Sequence, residues 1–283
     1  MTINALAGEV AIGDQTVRRF GFGAFKLTGP GGLGEPADRS YATSVVRSAV
    51  DAGINFVDTA DTYGPYMNEV LLADALHPYP DDLVIATKGG RTRDSKGNWG
   101  CDGRPEHLRA ACEGSLRRLR VDSIDLYQLH WVDPAVPFED SLGALADLRR
   151  SGKIRNIGLS NISCSQLEEA LALTPIASVQ NRFNLIDRVD EPLVEMCAER
   201  QIAFIPWYPV MQGKLADLPH VIGRVARSQS ATVAQVALAW LLQRSPVVLP
   251  IPGTSQLEHL DENIEATRLV LSDSDLAALD EEL

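Results

Sequence analysis

The 283-residue chain is expected to fold as an α/β protein, a closed (β/α)8 or TIM barrel with an N-terminal β-hairpin and a short C-terminal helical extension. Three observations predict it. Apolar, β-rich runs alternate with helical patterns along the chain, the signature of a parallel sheet covered by helices. Eight such runs follow the hairpin, and closing eight units into a ring removes both sheet edges. The length suits one barrel of about 250 residues, so residues 1–283 are taken as a single domain.

The elements follow in order. VAIGDQTVRRF (10–20) reads as a hairpin turning at Gly13-Asp14. Strands are expected at 20–25 (FGFGAF), 54–57 (INFV), 83–87 (LVIAT), 124–129 (IDLYQL), 154–159 (IRNIGL), 176–180 (IASVQ), 202–206 (IAFIP) and 247–251 (VVLPI). Helical patterns lie between them. YATSVVRSAVDA (41–52) precedes Gly53, a C-terminal stop. Residues 105–120 open with Pro105 in the first turn, and 139–150 end before Ser151-Gly152. ATVAQVALAWLLQ (231–243) puts Val233, Val236, Ala237, Trp240 and Leu241 on one face. The last segment, LSDSDLAALDEEL, carries Ser272 three residues before Asp275, a helix start. An open doubly wound sheet is the alternative. It would need GxGxxG opening a helix after the first strand, and the glycines of FGFGAFKLTGPGG have no helical pattern close behind them.

Bulk composition narrows the function. A 45% hydrophobic, 23% charged chain is ordinary for a globular protein. A net charge of −12 repels nucleic acid and anionic membranes, so neither is an expected partner. Cys101, Cys112, Cys164 and Cys197 form no CxxC pair or metal-like spacing and read as free thiols in a reducing compartment. The N-terminus, MTINALAGEVAIGD, lacks a basic segment followed by an apolar run, and no apolar stretch reaches the roughly 18 residues of a membrane span. A cytoplasmic protein, monomeric or weakly homo-oligomeric, is expected.

Barrel chemistry gathers at the C-terminal ends of the strands. NFVDTADTYG (55–64) places Asp58 and Tyr63 after the second strand, VIATKGG places Lys88 after the third, and LYQLHW places His130 after the fourth. Any one of these alone is most simply a solvated tip or a turn residue. Together they make a proton donor. A phenol titrates at about 10, too high for an acid at neutral pH, and a nearby ammonium lowers that value. A carboxylate beside the lysine keeps it charged and aimed, and a histidine beside the tyrosine can donate to a substrate oxygen. Such a site protonates an alkoxide forming from a carbonyl; the hydride must come from a nicotinamide cofactor.

On these motifs the chain resembles the aldo-keto reductases over essentially its whole length. NFVDTADTYG is similar to the family's Asp-Thr-Ala-x-x-Tyr-Gly, and the family tetrad falls on Asp58, Tyr63, Lys88 and His130. The resemblance makes Tyr63 the general acid, its pKa lowered by Lys88, with Asp58 holding Lys88 and His130 orienting the carbonyl. Asp61 is left as a turn residue. The resemblance also implies a cofactor path. Ala24, Phe25 and Asp58 lie against the cofactor, and Ser160, Asn161 and Gln180 bond its carboxamide; the local alternative, Ser163 or Ser165 as the only capping signal with Asn161 a turn residue, is outweighed by the order of the motifs. Trp207 stacks on the nicotinamide where many members have Tyr. Tyr208, Pro209, Val210 and Gly213 line the pyrophosphate path. In IPGTSQLEHLDEN, Ser255 and Glu258 form a capping box whose helix N-terminus attracts phosphate, and Gly253, Thr254, Ser255, His259, Glu262 and Asn263 match the segment that binds the adenosine 2′-phosphate. Many members have Lys in place of Gly253 and Arg in place of His259. NADPH is therefore the expected cofactor, with NADH close behind.

The chain stops soon after its last helix, so the pocket is expected to be open, walled by Phe25, Lys26, Tyr63, His130, Trp131 and the segment 89–104; Lys26 and Arg91 read most simply as solvated surface, with a polar or anionic substrate as the functional alternative for both. KLTGPGGLGEPADR, YGPYMNEVLLADALHPYPDDL and ALAWLLQRSPVVLPIPGTS are similar to the bacterial pyridoxal reductases of the family, which points to a small carbonyl such as pyridoxal as the partner. Two rivals stand beside the reductase: a redox-sensing regulatory subunit of the channel-β type that binds NADP(H) with little turnover, and a barrel aldolase using Lys88 as a Schiff base.

Overall fold

The computed structural model describes residues 2–3, 7–94, 96–210 and 220–282. Its first element is an antiparallel hairpin of β1 (Glu9–Ile12) and β2 (Gln15–Arg18), turning at Gly13-Asp14 as expected. Val10, Ile12 and Val17 pack against Phe56, Val84, Leu126 and Ala203, residues at or near the starts of the central strands, so the hairpin plugs the N-terminal end of the barrel. That leaves the other end for chemistry.

The central sheet is parallel. Its strands are β3 (Phe22–Gly23), β4 (Phe56–Asp58), β5 (Val84–Gly89), β8 (Ile124–Leu129), β9 (Ile154–Ser160), β10 (Ser178–Gln180) and β11 (Ala203–Phe204), adjacent in that order. Two expectations need correction. The run at 20–25 contributes only Phe22 and Gly23, because Ala24–Leu27 turns into a 3₁₀ helix. The run at 247–251 is an extended segment rather than a strand: Pro250 and Pro252 have no N–H to give to a ladder. It still bridges the sheet edges. Leu249 N–H donates to Phe204 O (2.8 Å), Gly21 N–H to Pro250 O (2.9 Å) and Gly23 N–H to Pro252 O (3.4 Å). The ring closes with proline carbonyls as acceptors.

Helices cover the sheet. α1 (Arg39–Asp51) starts at the Asp38 cap, which accepts from Tyr41 N–H. It ends in paired bonds from Gly53 N–H to Val50 O and from Ile54 N–H to Ala49 O, with Gly53 at φ +91°, a left-handed stop that suits glycine. α2 (Met67–Leu76) escapes periodicity because it is buried on several sides, Asn68 and Glu69 included. α3 (Pro105–Leu119), α4 (Phe138–Arg150), α8 (Val233–Arg244) and α10 (Asp273–Glu282) lie within a few residues of their expected places. Ser163 caps α5 (Cys164–Leu173) with Gln166, and Ser272 pairs with Asp275 at the start of α10. The remaining helices are α6 (Glu191–Glu199), α7 (His220–Ser228) and α9 (Leu257–Glu265). The long segment 89–104 contains a second hairpin that the sequence did not reveal, β6 (Arg91–Arg93) with β7 (Trp99–Cys101). Among the described residues no helix is long and apolar enough to cross a membrane.

Candidate active site

Parallel strands present their C-terminal ends on one rim, and alternate residues of each strand face inward. Asp58 ends β4, Lys88 is the penultimate residue of β5, His130 follows β8, Ser160 ends β9 and Gln180 ends β10. Register sets them level: Gly23 opposes Asp58, Lys88 opposes Gln128, and Ser160 opposes Gln180.

Lys88 sits at the centre, wholly buried. Its ammonium donates to Asp58 Oδ2 at 2.6 Å, Thr59 O at 2.8 Å and Tyr63 Oη at 3.3 Å. Burial opposes that charge, but Asp58 and Tyr63 outweigh it and hold the lysine pKa above its ordinary value. An amine held as a charged donor of three hydrogen bonds is a poor Schiff-base nucleophile, which argues against the aldolase. The other oxygen of Asp58 accepts from Gln128 Nε2 (3.0 Å) and Gln180 Nε2 (2.9 Å). Gln128 is the member that sequence reasoning missed. Its signal was present: a polar residue inside an apolar strand, two positions before His130 and so on the same inward face.

Tyr63 is half-buried, its ring edge-on to Phe25 with centroids 4.9 Å apart and to His130 at 6.1 Å. The sequence expectation that Lys88 lowers its pKa holds for the pair interaction but not for the net value. Burial raises the phenol above 10.0, Lys88 and Arg91 pull it back, and Asp58 pushes it up again. The phenol therefore keeps its proton through the neutral range. His130 shifts oppositely: burial, then the charges of Lys88 and Arg91, hold its pKa well below the ordinary 6.5, so the ring is neutral. Its Nδ1 is buried without a partner among the described residues. Asp61, expected as a plain turn residue, is buried beneath the site. Burial and the nearby Glu69 push its carboxyl well above the usual range, and its Oδ1 has no partner among the described residues.

The opposite wall carries a hydrogen-bond chain. The Trp207 indole N–H donates to Asn161 Oδ1 (3.0 Å), Asn161 Nδ2 to Ser160 Oγ (2.9 Å) and His130 O (3.2 Å), and Ser160 Oγ to Gln180 O (2.7 Å). The groups expected to bond a carboxamide are thus already bonded to one another, and Gln180 also anchors Asp58. Asn161 (φ +59°) and Tyr208 (φ +65°) both hold left-handed backbone, a strained state for non-glycine residues that clusters at working sites. Gly213 lies outside the described residues.

Gly253 has a packing reason. A Cβ there would come within 2.3 Å of Gly23 O, so the lysine of many relatives cannot enter without moving β3. The capping box expected at Ser255–Glu258 is not formed. α9 begins at Leu257 after Gln256, whose side chain makes no capping bond to the helix; Leu257 N–H reaches Tyr41 Oη at 3.3 Å, and Thr254 Oγ1 accepts from Gln256 N–H at 3.0 Å. His259 is exposed on that first turn; Glu262 and Asn263 follow on the helix, half-buried and buried.

Between the walls lies a cleft of about 400 Å³ lined by Phe25, Lys26, Asp58, Tyr63, Arg91, Trp99, His130, Ser160, Asn161, Gln180, Trp207 through Val210, and Gly253. Thr254, Ser255, His259, Glu262 and Asn263, expected at the 2′-phosphate, lie outside its lining, and so do Ala24 and Trp131, expected at the nicotinamide and substrate end. Ala24 is fully buried, its carbonyl taken by Asn68 Nδ2, and Trp131 stands behind Arg91. The cleft suits a nicotinamide ring with a small substrate: a half-exposed indole on one wall, a proton donor on the other, and a glycine edge at Gly23 and Gly253 that leaves the cleft clear of side chains.

Comparison with known proteins agrees. The family model described as "Aldo/keto reductase family" matches residues 19–283. An oxidoreductase of Schizosaccharomyces pombe, itself uncharacterized, is 45% identical over 98% of this chain and 90% of its own length. Pyridoxine 4-dehydrogenase of Escherichia coli is 41% identical over 95% of this chain and 96% of its own. Among solved structures, the thermostable aldo-keto reductase Tm1743, crystallised with the inhibitor epalrestat, superposes with a TM-score of 0.86 at 29% identity, covering both chains completely. An aldo/keto reductase of Klebsiella pneumoniae in complex with NADP and acetate gives 0.81 at 29% identity over 96% of this chain and 94% of its own. A barrel with a buried lysine bonded to a carboxylate and a phenol at its open rim, matched from residue 19 to 283, belongs to the aldo/keto reductase family of NAD(P)H-dependent oxidoreductases.

Proposed function

We propose that this protein reduces a small carbonyl compound to the alcohol with NADPH, Tyr63 acting as general acid, and that pyridoxal is among its substrates. The observation that carries the reading is the buried contact of Lys88 with both Asp58 and Tyr63 at the cleft floor. The hydride comes from a reduced nicotinamide when one is bound. The chain supplies the rest. Neutral His130 offers a hydrogen bond to the carbonyl oxygen without competing for its proton. As negative charge builds on that oxygen, Tyr63 gives up its proton, and the phenolate left behind is stabilised by Lys88 at 3.3 Å. Asp58, pinned by Gln128 and Gln180, keeps the ammonium in place. Trp207, held by Asn161, offers a face for the nicotinamide, and residues 253–263 are the candidate seat of the 2′-phosphate. Without Lys at 253 or Arg at 259 that seat is weakly basic, so a modest preference for NADPH over NADH is expected. Pyridoxal is supported by the 41% identity to pyridoxine 4-dehydrogenase. Four free thiols support a reducing, cytoplasmic setting.

The test follows the loss of reduced-nicotinamide absorbance with each cofactor against a carbonyl panel that includes pyridoxal. Tyr63→Phe should abolish reduction while leaving NADPH affinity nearly unchanged. Full turnover by that variant would refute Tyr63 as the acid, and NADPH binding with no turnover of any carbonyl by the unaltered protein would favour a regulatory role.

A further inference from the structure

Arg91 lines the cleft and is unspent. It opens β6, half-buried, with its guanidinium 4.1 Å from the Trp99 ring centre and 4.8 Å from that of Trp131. Sandwiched between two indoles, it is fixed in place while its N–H groups have no acceptor among the described residues. Neighbouring arginines are committed elsewhere. Arg93 donates to the carbonyls of Gly31 and Gly32, Arg182 pairs with Asp187, and Arg118 with Glu69. The only carboxylate among the cleft-lining residues, Asp58, is held by Lys88 and two glutamines, whereas Lys26 adds a second cation at the rim. A protein of net charge −12 thus keeps a positive spot inside its cleft. Low-dielectric walls focus such a field on whatever enters.

We propose that Arg91 is a specificity-determining residue that binds an anionic group of the substrate, so that the preferred carbonyl compounds are planar, aromatic and carry a carboxylate or comparable anion. The proposal rests on the carbonyl-reductase reading above. Arg91 lines the same cleft as Tyr63 and His130, the two groups proposed to face the carbonyl oxygen, so an anion bound there shares the cleft with the reacting end. Cofactor phosphates are expected on the opposite wall and along 253–263, so they do not account for this cation. Phe25 supplies aromatic surface in the cleft, and Trp99, its ring carrying the guanidinium groups of Arg91 and Arg93, lines it beside them. An unpaired guanidinium presents a fork of donors that matches a carboxylate in two parallel bonds.

The test uses the full-length enzyme with NADPH and a matched pair, 4-carboxybenzaldehyde and benzaldehyde. The ratio of their kcat/KM values should favour the anion by roughly 10- to 100-fold, the worth of one charge-assisted pair. Arg91→Met should bring the ratio to about one, and Arg91→Lys, which keeps the charge but not the fork, should leave it in between. Benzoate, as a dead-end inhibitor of benzaldehyde reduction, should bind about tenfold more weakly to Arg91→Met. If the unaltered enzyme reduces both aldehydes with a ratio near one, or if Arg91→Met keeps the original ratio, the Arg91 proposal is overturned while the reductase reading stands. Reduction of no aldehyde or other carbonyl would overturn both.

Discussion

The double variant Lys88→Met/Asp58→Asn isolates the electrostatic core of the proposed mechanism. Removing Lys88 alone would leave Asp58 buried and unpaired, a change that costs about 3–5 kcal/mol and confuses lost activity with lost folding. Neutralising both residues avoids that: Met roughly matches the lysine in volume, and the Asn amide oxygen still accepts from Gln128 and Gln180. What disappears is the ammonium 3.3 Å from Tyr63 Oη, worth roughly 5 kcal/mol to a full phenolate at an effective dielectric of about 20; the Asp58 carboxylate that opposes it disappears too, so this figure is a ceiling. If half the proton has moved in the transition state, at most roughly 2.5 kcal/mol is lost, close to 70-fold in rate, and full transfer raises that ceiling to about 5,000-fold. The assay is kcat/KM for an aldehyde, with NADPH affinity measured separately by fluorescence. A fall below those ceilings with unchanged affinity is expected. A double variant as fast as the unaltered enzyme would refute the idea that Lys88 makes the phenol a usable acid.

Other outcomes follow from the same geometry. The kcat/KM for reduction should be flat from about pH 6 to 9, because Tyr63 with its raised pKa stays protonated and His130 with its lowered pKa stays neutral; a limb in that range that vanishes in His130→Gln would contradict the assignment. His130 should also make the fold acid-sensitive. Below about 6.5 the unfolded histidine takes a proton that the folded one refuses, so stability is lost as pH falls, at up to about 1.4 kcal/mol per pH unit. His130→Gln should flatten the decline of Tm between pH 6.5 and 5. Gln128→Leu removes one of the two amide donors to Asp58 and should lower kcat about tenfold with NADPH affinity intact; equal losses in both would show general damage instead. Gly253→Ala should destabilise by about 1–3 kcal/mol in thermal melts, because its methyl meets Gly23 O; an unchanged Tm would show that β3 yields.

The sequence by itself determined the alternation of strands and helices and the rim on which chemistry gathers. Both follow from local rules: apolar period, caps such as Ser163 and Ser272, and the stop at Gly53 are written in neighbouring residues. It also named Asp58, Tyr63, Lys88 and His130, since each follows or nearly ends a strand. Helix α2 was illegible because burial on several sides erases an apolar stripe, and the β6–β7 hairpin because its strands are three residues each. Only the tertiary structure decided which partner each polar group takes. Gln180 faces Asp58 across 122 positions of sequence and Gln128 across 70, so neither bond has a local signature. The same holds for protonation. The net effect on Tyr63 depends on burial set against two cations and a carboxylate from different strands, and a sum over distant neighbours cannot be taken until the chain has brought them together.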